Sequence, residues 1–148
     1  AKGYSVSYER PNTAPTLPLM LAEPKTSVTP MGNILRLGGT LELVGMDLSH
    51  NKRRIAAIVR ATKQFLPAIN FDGLTVNKVW AGLRPVTPDG LPLLGRCKSF
   101  ENLTLATGHA TIGISTGPAS GMLVAQIVLR ERTFMDIRMF DPDRYIDR

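Results

Sequence analysis

The first third of the chain alternates apolar and polar residues over short runs that prolines and glycines separate. Residues 4–8 alternate in this way, and turn residues at Glu23-Pro24 and Met31-Gly32-Asn33 divide the runs that follow. Short strands joined by tight turns pair in antiparallel fashion. We therefore expect antiparallel ribbons, with strands over residues 4–8, 19–23, 26–30 and 33–43.

Paired glycines interrupt the longest of these runs, at Gly38 and Gly39. A glycine inside a strand indicates a bulge, or a point where another chain or a ligand comes close to the backbone. We take the bulge as the simpler interpretation.

The positive charge of the chain is concentrated in one segment. Residues 49–71 contain five basic and no acidic side chains, although the whole chain carries a net charge of only +6. Apolar residues in the segment recur at helical spacing, which predicts an amphipathic helix that ends at or before Leu66, since Pro67 follows. No aromatic interleaving or known DNA-binding module accompanies the basic residues, so we expect a solvated helix face and no nucleic-acid partner.

Composition is typical of a globular protein in a reducing compartment. The chain has 148 residues, 43% of them hydrophobic, which is enough for one core without cross-links. Cys97 is the only cysteine, so neither an intramolecular disulfide nor a CxxC pair can form. No apolar run approaches the roughly 20 residues of a membrane span. The first residues lack a signal peptide and already alternate as a strand, which suggests a piece of a longer protein.

The last part of the chain has a different organisation. A strand is expected over residues 76–83, a proline- and glycine-rich turn over 84–90, and two short extended segments over 91–95 and 102–106. A glycine-bearing loop follows, and Pro118 is expected at the first position of a helix over residues 119–130.

Two features of this part could bind an anion. A glycine loop that enters a helix offers backbone N–H groups and the positive end of the helix dipole, although turn glycines explain such a loop equally well. It is neither a Walker loop nor a GxGxxG fingerprint. Arg84, at the end of a strand, could bind a carboxylate through two parallel hydrogen bonds, or could pair with Asp89. Both alternatives are open on spacing alone.

Other chemistries have weak support. His50 and His109 have no further ligands at metal-binding spacing, so no metal site is expected. Ser115, His109 and Asp89 could be assembled into a hydrolytic triad, and Gly113-Ile114-Ser115-Thr116-Gly117 fits the letters of a nucleophile elbow. An elbow needs a strand that leads straight into the serine, whereas a loop intervenes here.

Two ordered blocks resemble a known family. They are WAGLRPVTPDGLPLLG, at residues 80–95, and LTLATGHATIGISTGPASG, at residues 103–121. Both closely resemble the C-terminal half of FAD-dependent amino-acid oxidoreductases of the D-amino-acid oxidase and dehydrogenase family, which includes glycine and sarcosine oxidases. Three further stretches look like the bacterial D-amino-acid dehydrogenase branch: KGYS at residues 2–5, VTPMGNILRLGGTLEL at 28–43, and FLP at 65–67.

The resemblance implies an α+β fold, with a mixed, largely antiparallel sheet and flanking helices. Residues 1–83 would form a segment of the substrate-binding domain, with the basic amphipathic helix. Residues 84–132 would supply the C-terminal strand and helix of the FAD-binding domain, and residues 133–148 a tail. The dinucleotide fingerprint of such proteins lies far upstream, so a missing N-terminal FAD-binding portion is an implied partner.

The resemblance also implies roles for particular residues. Arg84 would bind the carboxylate of an amino-acid substrate. No protein base is implied, because the family transfers a hydride from the substrate α-carbon to FAD, and we expect no catalytic side chain in this chain. Thr111 stands where glycine-oxidase-like members have a second arginine. The residues expected against the flavin edge are Gly108, His109, Ala110, Thr111, Ile112, Gly113 and Ile114.

We therefore expect the C-terminal part of a flavoprotein that oxidatively deaminates a D-amino acid, inactive when isolated. By resemblance, the parent protein would lie in the cytoplasm or at the inner face of the membrane. One alternative is a non-enzymatic module that holds an acidic ligand through Arg84 and the loop Gly108–Gly117. Another is an inherited scaffold without a ligand.

Overall fold

A computed structural model describes residues 1–146 and divides into two compact units, one from Ala1 to Leu83 and one that begins at Arg84. The first unit contains β1 (Lys2–Glu9), β2 (Leu19–Leu21), β3 (Thr26–Met31), β4 (Ile34–Glu42), α1 (Lys52–Phe65), a 3₁₀ turn (Phe71–Gly73) and β5 (Val76–Leu83). The second contains β6 (Leu93–Arg96), β7 (Thr104–Thr107), α2 (Gly113–Leu129) and a 3₁₀ turn (Arg138–Phe140).

The five strands of the first unit form one sheet in the order β2-β3-β4-β1-β5, in which each strand is antiparallel to its neighbours. The expected antiparallel ribbons and α+β class are confirmed. Alternate residues of β1, which pairs with both β4 and β5, face a core against α1, and the rest face away. The buried core of this unit comprises Tyr4, Val6, Tyr8, Val28, Leu35, Leu37, Ile58, Ile69, Phe71 and Ala81.

The paired glycines mark a bulge, as expected from the sequence. The register of β1 and β4 shifts where Tyr4 faces Gly39 and Lys2 faces Glu42, and Thr40 has a left-handed φ of 66°. This is a bulge. A Cβ on Gly39 would lie 3.1 Å from a side-chain carbon of Ile58, so α1 also approaches the strand closely here.

Helix α1 ends where the sequence predicts, at Phe65, with Leu66 as its C-cap. Its start has a cap that sequence reasoning missed. The side-chain oxygen of Asn51 accepts hydrogen bonds from the backbone N–H groups of Arg53 (3.1 Å) and Arg54 (3.2 Å). This cap satisfies two of the N–H groups left over in the first turn, next to cations that the helix dipole disfavours.

In the second unit, α2 packs against the antiparallel pair of β6 and β7. The predicted helix start at residue 119 is wrong, because α2 begins at Gly113 and contains Pro118. A proline so close to the start removes one intrahelical hydrogen bond, while its fixed φ remains compatible with a helix. Weak helix formers at residues 111–117 concealed this first turn in the sequence.

Candidate functional site

The loop between β7 and α2 has a backbone shape that requires glycine at its first position. Gly108 has a φ of 78°, and a Cβ there would lie 2.8 Å from the methyl carbon of Thr87. Ala110 also has a left-handed φ, of 49°. Conformation and close packing therefore both require glycine at position 108, which the sequence alone left open between a turn glycine and part of an anion-binding loop.

Several backbone N–H groups lie where the loop enters α2, and some of them lack an acceptor among the described residues. The N–H of Ile112 donates to the carbonyl of His109 (3.0 Å), and that of Thr116 donates to the carbonyl of Ile112 (3.0 Å). Within residues 1–146, the N–H groups of Gly113, Ile114 and Ser115 have no acceptor, and the first turn has neither an acidic residue nor a side-chain cap. These groups and the helix dipole favour an anion or a partial negative charge.

His109 fastens the loop to the helix. Its Nε2 lies 2.9 Å from the hydroxyl oxygen of Ser120, which is buried on α2. The hypothetical triad is wrong, since Asp89 bonds Arg144 and Ser115 lies exposed within α2. The contact of His109 with Ser120 positions the loop and does not activate Ser115 as a nucleophile.

The turn that carries Arg84 is joined to the same loop. Arg84 is exposed and follows β5, and the carbonyl of Pro85 accepts a hydrogen bond from the N–H of Ala110 (3.1 Å). Further along, the hydroxyl of Thr87 donates to the carbonyl of Leu91 (2.7 Å). The structure thus brings the backbone after Arg84 against the loop 108–114, two segments that are distant in sequence. Asp89, the alternative partner of Arg84, accepts two hydrogen bonds from Arg144.

One polar surface of the first unit was missed from the sequence. On the sheet face opposite the core, the Nε of Arg36 donates to the hydroxyl of Ser5 (2.9 Å), and its guanidinium carbon lies 6.0 Å from the centre of the Trp80 ring. A Cβ on Gly82 would fall 2.5 Å from an indole carbon of Trp80, so glycine leaves room for the ring. Serines that alternate with buried tyrosines in β1 were the available signal for this face.

A buried lysine near the start of the chain was also missed. The ammonium of Lys2 donates to the Asp47 carboxylate (2.9 Å) and to the carbonyl of Ser49 (3.1 Å). The Lys2 bond, aided by the N–H and hydroxyl of Ser49, lowers the pKa of Asp47 to about 2. This contact fastens the segment between β4 and α1 to the sheet.

The chain matches the model of a known protein family over residues 1–127, that of DAO, the FAD dependent oxidoreductases. The chain belongs to this family. It is 37% identical over 131 residues to a D-amino acid dehydrogenase of Xanthobacter autotrophicus, an alignment that covers 86% of this chain and 30% of that protein.

Solved structures show the same fold. The crystal structure of glycine oxidase from Geobacillus kaustophilus matches with a TM-score of 0.85 and 28% identity, over 97% of this chain and 38% of that one. L-proline dehydrogenase from P. horikoshii matches with a TM-score of 0.80 and 22% identity, over 99% and 40% respectively, which shows the fold alone. The chain therefore spans about 30 to 40% of the length of these relatives.

The residues present fit the ring end of a flavin. Unpaired N–H groups at the start of α2 suit an electron-rich ring edge, and Ile114 beside them is 98% exposed in a chain whose family binds FAD. The sequence contains no GxGxxG fingerprint. Thr111, where the resemblance led us to expect a second arginine in glycine-oxidase-like proteins, is exposed in the loop.

Proposed function

We propose that this chain is the C-terminal part of a flavoprotein that oxidatively deaminates a D-amino acid. The single observation that carries the proposal is the hydrogen bond from the Ala110 N–H to the Pro85 carbonyl. It joins a carboxylate-binding candidate, Arg84, to the loop that would contact the flavin. Similarity to a D-amino acid dehydrogenase and to a glycine oxidase supports the reaction class.

In this mechanism Arg84 binds the substrate carboxylate and so holds the amino acid at the site. A guanidinium suits this task because its planar fork can donate two parallel hydrogen bonds. The loop 108–114 would hold the ring of FAD, which would supply a two-electron acceptor for the hydride of the substrate α-carbon; water would then hydrolyse the imino acid to a keto acid and ammonia.

The loop 108–114 supplies the electrostatic part of the mechanism. The N–H groups of Gly113, Ile114 and Ser115 stand ready before the reaction, so they stabilise negative charge at a ring edge without rearranging. Ile114 excludes water from the same place. His109, through Ser120, keeps the loop in position. No side chain of this chain is assigned as a proton acceptor.

The proposal is tested first on the complete protein, with the 148-residue chain as a control. The visible spectrum and a dye-linked assay with D-amino acids are measured for both. We expect a yellow, active complete protein and a colourless, inactive chain. A complete protein that stays colourless after FAD is added would contradict the proposal and would favour the non-enzymatic module that binds acidic ligands.

Arg84 is tested by substitution in the complete protein. Arg84→Ala should raise KM for the amino acid by roughly two to three orders of magnitude, because truncating one partner of a charged pair costs about 2–5 kcal/mol. Arg84→Lys should recover part of this loss, and Arg53→Ala, an exposed arginine on α1, should have no effect. An unchanged KM for Arg84→Ala would remove Arg84 from the site.

The loop is tested by placing a negative charge at its end. Ile114→Asp puts a carboxylate at a helix start, where it favours the helix, so folding is retained. The same charge opposes electron density at the flavin edge, so we expect a lower flavin reduction potential or loss of flavin. Ile114→Val is the matched control. Unchanged flavin content and potential in Ile114→Asp would remove the loop from the cofactor site.

We also propose that the parent protein is cytoplasmic and associates with the anionic inner face of the membrane through α1. Lys52, Arg53 and Arg54 are exposed at the start of this helix, and Leu43 and Met46 just before it are 84% and 86% exposed. Basic residues beside exposed apolar ones favour anionic lipid surfaces. In the part of the chain that the structure describes, no helix is both long and apolar enough to cross a bilayer.

Sedimentation with lipid vesicles tests this association. The complete protein should sediment with vesicles that contain phosphatidylglycerol and much less with neutral phosphatidylcholine vesicles. Lys52→Glu combined with Arg53→Glu should abolish the difference, whereas Arg130→Glu, in the second unit, should not. Equal sedimentation with both kinds of vesicle would contradict an electrostatic association.

A further inference from the structure

The last described residues return to the turn that carries Arg84. We call residues 84–92 the anchor turn. The Nε of Arg144 donates to Oδ2 of Asp89 (2.9 Å), and one terminal nitrogen of its guanidinium donates to Oδ1 of Asp89 (2.9 Å) and to the carbonyl of Leu91 (2.8 Å). The other terminal nitrogen donates to the carbonyls of Pro92 and Asp141, both at 3.2 Å.

This arrangement uses the whole planar fork of an arginine. All three nitrogens of the guanidinium donate, and the Arg144 side chain is only 13% exposed. A lysine could supply the charge but could not reach Asp89 and three carbonyls at once. The carboxylate of Asp89 also accepts a hydrogen bond from the backbone N–H of Leu91 (3.0 Å), and this bond stabilises the anchor turn.

The tail that carries Arg144 is itself firmly attached. Pro142 packs on Gly95, where a Cβ would lie 2.9 Å from its ring. The buried carboxylate of Asp143 accepts the N–H of Lys98 (2.7 Å). These contacts of Pro142 and Asp143 hold the backbone just before Arg144 in place.

The anchor turn also contacts the loop 108–114. Thr87 fills the space that a side chain on Gly108 would need, and Pro85 accepts the N–H of Ala110. The turn thus contacts both Arg144 and the loop. A shift of its backbone would move the start of the Arg84 side chain relative to that loop.

We propose that Arg144 is a positioning residue for substrate binding, which acts through Asp89 to set the anchor turn and hence the carboxylate contact of Arg84. The inference rests on the proposed function, because it assigns Arg84 the carboxylate. Misplacement of a binding group by about 1 Å can cost 100-fold. A loss of carboxylate binding should appear in KM, with kcat nearly unchanged.

The test uses Arg144→Lys and Asp89→Asn in the complete flavoprotein, with D-amino acids as substrates. We expect KM to rise about 10- to 100-fold, kcat to change less than about threefold, and flavin content to stay the same. Arg138→Lys is the matched control, since Nε of Arg138 donates to Oδ1 of Asp136 and a terminal nitrogen donates to Oδ2, a similar bidentate pair on an exposed part of the tail. An unchanged KM in both variants would overturn the inference.

A double variant separates positioning from general weakening. In an Arg84→Ala background the contact to be positioned is gone, so Arg144→Lys should raise KM no further. If KM of the double variant instead rises by the product of the two single-variant factors, the inference is overturned, because Arg144 then does not act through Arg84.

The amide of the same amino acid, which lacks the carboxylate, provides a second readout. Arg144→Lys should leave KM for the amide unchanged, and an equal rise for both substrates would overturn the inference. If Arg84→Ala itself leaves KM unchanged, the proposed role of Arg84 fails. If Arg84→Ala raises KM and Arg144→Lys does not, only the present inference fails.

Discussion

The two units of this chain are stabilised in different ways. The first unit buries ten hydrophobic residues in one cluster, whereas the described part of the second buries only Leu94 and Leu123 to the same degree. The second unit instead relies on polar contacts, such as those of Arg144, His109 and Asp143. Apolar burial is not directional, so it stabilises a unit as a whole without setting the position of one segment. Hydrogen bonds are directional, so a network of them sets the position of the segments that it joins. The part that determines stability and the part that carries the candidate site are therefore separate.

The largest effect should come from the core of the first unit. Leu37→Ala removes a fully buried side chain, which should lower the free energy of unfolding by about 2–5 kcal/mol. Chemical denaturation followed by circular dichroism would measure this. Leu41→Ala, an exposed position on the same strand, is the control. Equal losses for the two variants would contradict a core on one face of the sheet.

A smaller, local loss of stability should follow when the contact between Gly95 and Pro142 is disturbed. Gly95→Ala adds a Cβ that collides with Pro142, at a residue whose φ is 151°. We expect a loss of about 1–3 kcal/mol, confined to the second unit. Hydrogen exchange should rise in residues 86–92 and 141–146 and stay unchanged in β1. Faster exchange throughout β1 would show that the two units do not differ as described.

At low pH the segment before α1, residues 47–49, should detach from the sheet while the core stays folded. The pKa of Asp47 is about 2 in the folded protein, below the roughly 4 of an unfolded chain. A depressed folded pKa gives stability that is present above about pH 4 and is lost as the pH falls toward 2. Amide exchange near residues 47–49 should therefore rise in this range, and Asp47→Asn should remove the pH dependence. A segment equally protected at pH 2 and pH 5 would contradict the Lys2–Asp47 contact.

The smallest effect should be spectroscopic. Trp80 is the only tryptophan, and Gly82→Ala would push its ring away from the strand. Fluorescence of the 148-residue chain should shift to longer wavelength with little change in unfolding midpoint, because Trp80 is already 49% exposed. Gly73→Ala is the control, since its position lies in a 3₁₀ turn away from this ring. An emission spectrum identical to that of the parent chain would contradict the packing of Trp80 on Gly82.

Sequence reasoning succeeded where one residue type decides a local outcome. Pro67 fixed the end of α1, alternation at residues 4–8 predicted the strand β1, and the glycine pair predicted the bulge beside Thr40. It failed where tertiary contacts decide. The true start of α2 at Gly113, and the partners of His109 and Asp89, depend on residues 11 to 55 positions away. The roles of Arg84 and of the loop 108–114 remain predictions, because they depend on a ligand and on chain outside these residues.

Anaerobic titration of the complete protein with a D-amino acid tests the central claim most directly, with Arg84→Ala beside it. The visible flavin band should bleach in the parent protein at low amino-acid concentration. In Arg84→Ala the same band should be present and should bleach fully, but only at concentrations roughly 100 times higher or more. Bleaching of both proteins at the same concentration, or a parent protein without a flavin band, would contradict the account.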